Sequence, residues 1–415
     1  MKVLHVIPSV SERSGGPGQA IFPMCRALPE KGVDVTLATT DADLSGQNGI
    51  TSRDVEPNDE SRDRQPSIPN SYKGVPTAIF PSQLGNSFKY SRPLAVWLNA
   101  NVKSFDLVHI HAVFNHACIA AARACRKHDV PYIVRPLGTL DPWGMKQKSL
   151  RKTLFWQLAA KRMMHDAAAV HYTARGEQEG TEKSLGLNHG RVVPLGIDPQ
   201  IASAPLSPEY FAREFPKLGK SPYVLVLSRL LPTKGLDVLL DAFLPLIKRQ
   251  EFIGWRLVLA GEGPEDYVAG LKQKIENQGA VGSVLFPGWL EGEKKNAILR
   301  NSALLALPSY HENFGLCVME ALACGVPVLV SPHVNLSEEI RDAGAGWIAA
   351  IEKAPMEAAL KEALGSVMER TNRGSAGKTL SARFTWPEVA RQLVTVYSDV
   401  LAERGQLQTP VIACA

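Results

Sequence analysis

Two glutamates, Glu312 and Glu320, stand eight positions apart in the run Pro308-Ser309-Tyr310-His311-Glu312-Asn313-Phe314-Gly315-Leu316-Cys317-Val318-Met319-Glu320-Ala321-Leu322-Ala323-Cys324-Gly325-Val326-Pro327-Val328. Gly315 lies where a helix is predicted to begin, and an apolar strand, Val326 to Val330, follows. A loop that feeds a helix N-terminus attracts anions, because its amides are unsatisfied and its dipole end is positive. Glu312, ahead of the helix, can accept hydrogen bonds from sugar hydroxyls; Glu320, more than one turn inside, can accept from a second hydroxyl pair. Hydroxyls at both ends with an anion site between them suggest a nucleotide sugar. The plainer reading is an amphipathic helix with two solvated glutamates.

The Glu-x7-Glu spacing, with Phe-Gly after the first Glu and Glu-Ala-Leu-Ala-x-Gly-x-Pro-Val at the second, resembles the donor site of retaining glycosyltransferases of family 4. Bacterial polysaccharide and lipopolysaccharide enzymes belong to that group. The resemblance implies an α/β chain of the GT-B fold: two Rossmann-like domains whose parallel sheets face an interdomain cleft. It implies that Glu312, with groups of Asn313, Phe314, Gly315 and Leu316, holds the donor sugar, and that Glu320 holds the ribose. It implies neither a cofactor nor a metal ion.

Arg229-Leu230-Leu231-Pro232-Thr233-Lys234-Gly235 follows the predicted strand Tyr223–Ser228. A departing diphosphate builds negative charge, and fixed cations can neutralise it without a metal. Arg supplies a planar fork and Lys a point charge, so Arg229 and Lys234 suit two phosphates. This pattern, too, resembles the family's diphosphate clamp; two solvated loop cations are the alternative. Gly261 and Gly263, after the next strand, permit close approach of a ligand or form a plain tight turn. In the resembling family the turn Pro287-Gly288-Trp289-Leu290 lies beside the nucleobase, with Leu290 next to it, and its backbone contacts leave guanine and uracil undistinguished.

In the first half, Ser14-Gly15-Gly16-Pro17-Gly18 joins strand one to helix one, and amides at Gly15 and Gly16 can meet the donor phosphate. Pro17 and Ala20 break the dinucleotide glycine fingerprint. His109 and His111 share one face of a strand. The resemblance gives His111, at the carboxyl end, a contact with the donor sugar. Packing suits His109, and a zinc pair lacks a third ligand at convincing spacing. Arg135 and Asp141 leave the strand Tyr132–Val134; Arg135 can meet a phosphate or the acceptor, and Asp141 an acceptor hydroxyl or a structural turn. Asp41-Ala42-Asp43 matches the Asp-x-Asp of metal-dependent glycosyltransferases of another fold, but it opens a polar loop in the wrong context and reads as chance.

The elements that must position these groups alternate along the chain. The 415 residues suit two domains. Strands are predicted at Val3–Ile7, Val33–Thr39, Thr77–Phe80, Leu107–His111, Tyr132–Val134 and Ala168–Tyr172, then Tyr223–Ser228, Arg256–Ala260, Val284–Phe286, Leu304–Leu307 and Val326–Val330, with helical patterns between them. Asp41 to Lys73 reads as a long loop. Boundaries are predicted at 1–200, 201–382 and 383–403, the last a helix returning to the first domain.

A net charge of +5 and pI near 8.8 permit anionic ligands or membrane surfaces, and no nucleic-acid motif is visible. Six scattered cysteines, without a Cys-x-x-Cys pair, read as reduced thiols of a cytoplasmic protein. No signal peptide or spanning segment is evident. Met145 to Met164 carries Lys146, Lys148, Arg151, Lys152, Lys161 and Arg162 without an acid, with Leu150, Leu154, Phe155 and Leu158 at helical spacing. Such a helix binds an anionic membrane surface at the inner face, or packs its stripe on the core.

The reading that follows is retaining, metal-independent transfer of a hexosyl group from a nucleoside diphosphate sugar to a hydroxyl of a glycan or lipid-linked acceptor. A nucleotide-sugar epimerase of the same fold and a nicotinamide-dependent oxidoreductase are the rivals.

Overall fold

A computed structural model describes residues 1–11, 16–42, 70–83, 88–140, 153–198, 200–203 and 207–405. They divide into two compact units, Met1–Gly196 with Trp386–Ala415, and Ile197–Thr385.

In the first unit, β1 (Lys2–Val6), β2 (Asp34–Thr40), β3 (Asn70–Tyr72), β4 (Val75–Phe80), β5 (Leu107–His111), β6 (Tyr132–Arg135), β7 (Ala169–Tyr172) and β8 (Gly190–Val192) form a sheet in the order β3-β4-β2-β1-β5-β6-β7-β8. All neighbours are parallel except β3 and β4. Helices Gly16–Ala27, Arg92–Asn101 and His116–His128 carry the crossovers. Because helices cover the sheet, β5 and β6 are buried along their whole length, as parallel strands require. The strand order reverses at β1, which pairs with β2 on one side and β5 on the other. Ligands bind at such switch points, at the carboxyl ends of the strands.

β3 corrects the expected loop. Asn70–Tyr72 pairs with β4 through Lys73 and Gly74, both at positive φ (50° and 79°), a two-residue turn suited to a hairpin. Residues 43–69 of that expected loop lie outside the described ones. The helix Trp386–Glu403 belongs to this unit and buries Trp386, Val389, Ala390, Leu393, Val396, Tyr397, Val400 and Leu401, one amphipathic face.

In the second unit, β9 (Tyr223–Leu227), β10 (Arg256–Ala260), β11 (Val284–Gly288), β12 (Leu304–Leu307), β13 (Val328–Val330) and β14 (Gly346–Ile348) form a parallel sheet in the order β11-β10-β9-β12-β13-β14. This is the doubly wound order of a dinucleotide-binding sheet, with its switch point between β9 and β12. Helix Leu236–Leu246 packs Leu239, Leu240 and Phe243 wholly inside, and each such side chain contributes about 1.5–3 kcal/mol.

Two helices absent from the sequence reading, Lys353–Gly365 and Val367–Ser381, follow β14. The second packs through small residues: a Cβ on Gly374 would strike the Gly325 carbonyl, and one on Gly377 would strike Leu322. Among the described residues no helix is long and apolar enough to cross a membrane.

Candidate active site

The loops leaving β9 and β12 meet at the switch point of the second unit. Lys234 ends the short 3-10 turn Pro232–Lys234, and Gly235 follows at φ 65°. A Cβ on Gly235 would overlap the Pro308 carbonyl oxygen, so glycine is what lets the two loops touch. The Tyr310 amide donates to the Thr233 carbonyl at 2.9 Å. The result is an ion pair: Lys234 Nζ lies 2.5 Å from Glu312 Oε2, with side-chain exposures of 13% and 21%.

Glu312 is held from its other side as well. Its amide donates to the His333 carbonyl and its carbonyl accepts from the Asn335 amide, both at 3.1 Å, a short parallel bridge to Val334. Asn335 Nδ2 lies 3.5 Å from Asn313 Oδ1. Gly315, at φ 74°, precedes the helix Leu316–Ala323, and Phe314 is buried with its ring 6.1 Å from that of Phe384. Leu316 opens the helix, half-buried.

Glu320, on the same helix, forms a second pair: Lys295 Nζ donates to its Oε1 at 2.7 Å. Lys295 comes from helix Gly292–Arg300 and was missed in the sequence. The two pairs act on one group. The Cys317 thiol is pushed up to about 12, first by desolvation and then by Glu312 and Glu320, while Lys234 and Lys295 oppose the shift. Glu320 and Cys317 share the helix Leu316–Ala323, and Glu312 lies in the loop that leads into it.

Three other expected donor groups are placed differently. Arg229 is exposed just past β9 and, among the described residues, has no ion-pair partner. The glycines of the Gly261-Glu262-Gly263 turn serve the protein's own backbone: Cβ atoms on Gly261 and Gly263 would overlap the Ser228 and Leu230 carbonyls, and the Leu230 amide donates to the Glu262 carbonyl at 2.8 Å. Close approach of ligand is thus not needed to explain Gly261. Leu290 is half-buried beyond β11.

In the first unit, His111 and Arg135 lie in a buried cluster of polar side chains. His111 is wholly buried, packed among His5 of β1, His109 of its own strand and Arg135 of β6. Its ring stacks on His109 with centroids 4.2 Å apart, and its Nε2 lies 2.9 Å from His5 Nδ1. Arg135 is buried too, with Nη1 3.5 Å from His111 Nδ1, so it reaches this core and not a surface phosphate. Gly16 starts the first helix; Gly15 and Asp141 lie outside the described residues. Asp41 accepts from the Ser82 amide at 2.7 Å, a turn role for the first acid of the Asp-x-Asp.

The proton order in this core follows from one carbonyl. His171 Nε2 lies 2.7 Å from the Val193 oxygen and must donate to it. A neutral His171 then accepts at Nδ1 from His109 Nε2, at 3.1 Å. His109 accepts in turn at Nδ1 from the Tyr397 hydroxyl, at 2.7 Å. Burial, before any charge, holds His5 and His171 down at about 3 and lowers His109 and His111 as well, and Arg135 adds to all four. His5, His109 and His111 have ring nitrogens within 4.8 Å of one another, the third imidazole that the sequence lacked. A cation among them would face the fixed charge of Arg135 with no carboxylate in the triad, so packing explains the cluster better than ligation.

Glu177 supports the loop after β6. It is buried, and its carboxylate accepts from the amides of Gly138 (2.7 Å) and Thr173 (2.8 Å) and from the Thr173 hydroxyl (2.9 Å). This fixes Leu137 and Gly138, both at positive φ (60° and 70°).

Both units have known counterparts. Residues 15–196 match the model of a glycosyl transferase 4-like domain, and residues 209–378 match that of glycosyl transferases group 1. The chain belongs to the family 4 type of glycosyltransferase and has the GT-B fold. It is 23% identical over 413 residues to the GDP-mannose:cellobiosyl-diphosphopolyprenol alpha-mannosyltransferase of Xanthomonas oryzae pv. oryzae, covering 97% of both chains. It is 30% identical over 220 residues to the phosphatidyl-myo-inositol mannosyltransferase of Mycobacterium leprae, 52% of this chain and 55% of that one. Among solved structures, Anabaena HepE in complex with UDP and glucose superposes with a TM-score of 0.73 at 20% identity, covering 96% of this chain and all (100%) of the other.

Proposed function

We propose that the chain moves a hexosyl group from a nucleoside diphosphate sugar to a hydroxyl of a lipid-linked glycan, with retention at the anomeric carbon and without a metal ion. The observation that carries this reading is the Lys234–Glu312 pair at the switch point of the second unit, with the Lys295–Glu320 pair on the helix that follows its loop. A cation and a carboxylate in contact suit the junction between a donor's phosphate and its sugar. The relatives' names support the donor and acceptor classes: GDP-mannose and a diphosphopolyprenol-linked glycan in one, phosphatidyl-myo-inositol in another.

In the reaction the bond from the anomeric carbon to the phosphate oxygen breaks, and that oxygen takes the electron pair. Arg229 and Lys234 neutralise the leaving diphosphate. Glu312 and groups of Asn313 to Leu316 hold the sugar hydroxyls, and Glu320 holds the ribose. The acceptor oxygen attacks the same face and passes its proton to the leaving phosphate. Retention and this route rest on the family resemblance.

A surface of the first unit supports a membrane-borne acceptor. Leu154 and Leu158, one turn apart on the helix through 153–165, are 62% and 75% exposed, followed by exposed Lys161 and Arg162. Their stripe is not spent on the core; Phe155 packs instead on Phe88 and Phe114, both at 5.8 Å. Residues 145–152 of the predicted basic helix lie outside the described ones.

The test is a donor panel including GDP-mannose and UDP-glucose, with and without acceptor glycans, and the anomer of the product read by NMR. Lys234→Ala and Glu312→Ala should each lower turnover about 10²–10³-fold with folding intact. Near-normal turnover in both refutes the site. Isomerised donor without acceptor identifies an epimerase, and an absorbance change with a nicotinamide cofactor identifies an oxidoreductase.

A further inference from the structure

We propose that Lys295 is a positioning residue, one that presents the Glu320 carboxylate to the ribose of a nucleoside diphosphate; this rests on the donor reading above. The two residues come from different helices, Gly292–Arg300 and Leu316–Ala323, 25 positions apart in sequence. Their bond is 2.7 Å, and the side chains are only 21% and 17% exposed.

The two carboxylate oxygens are unequal. Glu320 Oε2 is sealed from solvent and has no hydrogen-bond partner among the described residues. Oε1 carries the bond from Lys295. A buried carboxylate oxygen without a donor is costly, and such an atom in a folded protein needs a reason. Here the ammonium is the fixed donor that keeps the group in place. Oε1 keeps a lone pair after accepting from Lys295, so a ligand hydroxyl can donate to it. The same device stands next to it: Lys234 holds one oxygen of Glu312, and all four groups act on the Cys317 thiol. Without a ligand, each of the two carboxylates is thus paired with an ammonium from another element. Without Lys295, Glu320 would have rotational freedom, and the ribose would have to order it on binding.

The experiment is calorimetric titration of the full chain with UDP and GDP, with their 2′,3′-dideoxy analogues, and with inorganic pyrophosphate. In Lys295→Met the ribonucleotide that the wild type binds should weaken about tenfold. The dideoxy analogue and pyrophosphate should change by less than about twofold, since neither offers the hydroxyls that Glu320 receives. Lys295→Arg should restore most of the affinity. In a Glu320→Gln background Lys295→Met should add less than about twofold, because its action passes through the carboxylate. Equal loss for ribo- and dideoxy-ligands overturns the inference and makes Lys295 a phosphate attractor. No loss in any ligand makes the pair a surface ornament and overturns it too. Retained pyrophosphate binding shows that the variant is folded. A wild type that binds neither UDP nor GDP overturns the donor reading itself, an outcome distinct from both.

Discussion

Lowering the pH should destabilise the first unit through its buried imidazoles. His5 and His171 are wholly buried and held at about 3, against 6.5 in an exposed chain. Between those values the unfolded chain binds protons that the folded unit does not. Stability is therefore complete above the unfolded value and falls as the pH drops below it. At about pH 5, some 1.5 pH units below that value, each of these histidines costs about 2 kcal/mol, and the two together about 4 kcal/mol. His109 and His111 are lowered as well and add to the loss. Glu177 works in the opposite sense, because burial raises its carboxyl and the folded unit takes that proton first. A domain has only about 5–15 kcal/mol to lose, so the net effect should be visible. The assay is hydrogen exchange of peptides spanning Leu107–His111, corrected for intrinsic rate, between about pH 7.5 and 5. Protection of the wild type should fall across that range, and His5→Gln should show a slope shallower by about one proton. Protection that stays flat in the wild type refutes the neutral, proton-ordered core.

Other expectations are more local. Tyr397→Phe removes the donor to His109 Nδ1 and should cost about 1–3 kcal/mol in urea unfolding, read by the same peptides. Gly235→Ala adds a Cβ against the Pro308 carbonyl at φ 65°; it should cost about 1–3 kcal/mol and displace Lys234, seen as lost turnover beyond the loss of stability. A chelator should leave transfer unchanged; restoration of chelator-inhibited transfer by a divalent ion would contradict the metal-free route. Leu154→Ser with Leu158→Ser should abolish sedimentation with anionic liposomes while leaving transfer to a soluble acceptor intact, and sedimentation that is absent in the wild type ends the membrane proposal.

The parts of the site visible in the sequence are those set by short range. Gly315, Glu312 and Glu320 sit within one loop and helix, and Lys234 sits beside a glycine whose positive φ can be expected from its place before a helix. Lys295 was hidden because Glu291, Glu293 and Lys294 beside it make its helix look uniformly solvated; only packing shows that it faces Glu320. The histidine core was hidden by topology. His5 and His109 stand opposite each other only once β1 is known to pair with β5. The burial of His111 was not legible either, since the carboxyl end of a strand need not be the end of burial: Val113, just beyond it, is as buried as the strand. Val367–Ser381 escaped because its buried face is Gly374, Gly377, Leu380 and Ser381, which gives no apolar period to read.

The ion pairs also bear on how a donor can enter. Lys234, Lys295, Glu312 and Glu320 sum to no net charge, so together they offer little long-range pull on a diphosphate; Arg229, exposed and without an ion-pair partner among the described residues, is the cation best able to supply it. On the proposed reading, phosphate must draw Lys234 away from Glu312, and that exchange releases the carboxylate oxygen that the sugar hydroxyls then use. Phosphate and sugar recognition are thus coupled through one proton-bearing contact of 2.5 Å. A free nucleoside diphosphate would break the pair and leave Glu312 without a hydroxyl to satisfy it, while a nucleotide sugar would satisfy both partners. Removing Glu312 should therefore weaken binding of the nucleotide sugar more than binding of the nucleoside diphosphate. A Glu312→Ala variant that binds both ligands with wild-type affinity would show that Lys234 and Glu312 do not exchange partners at all.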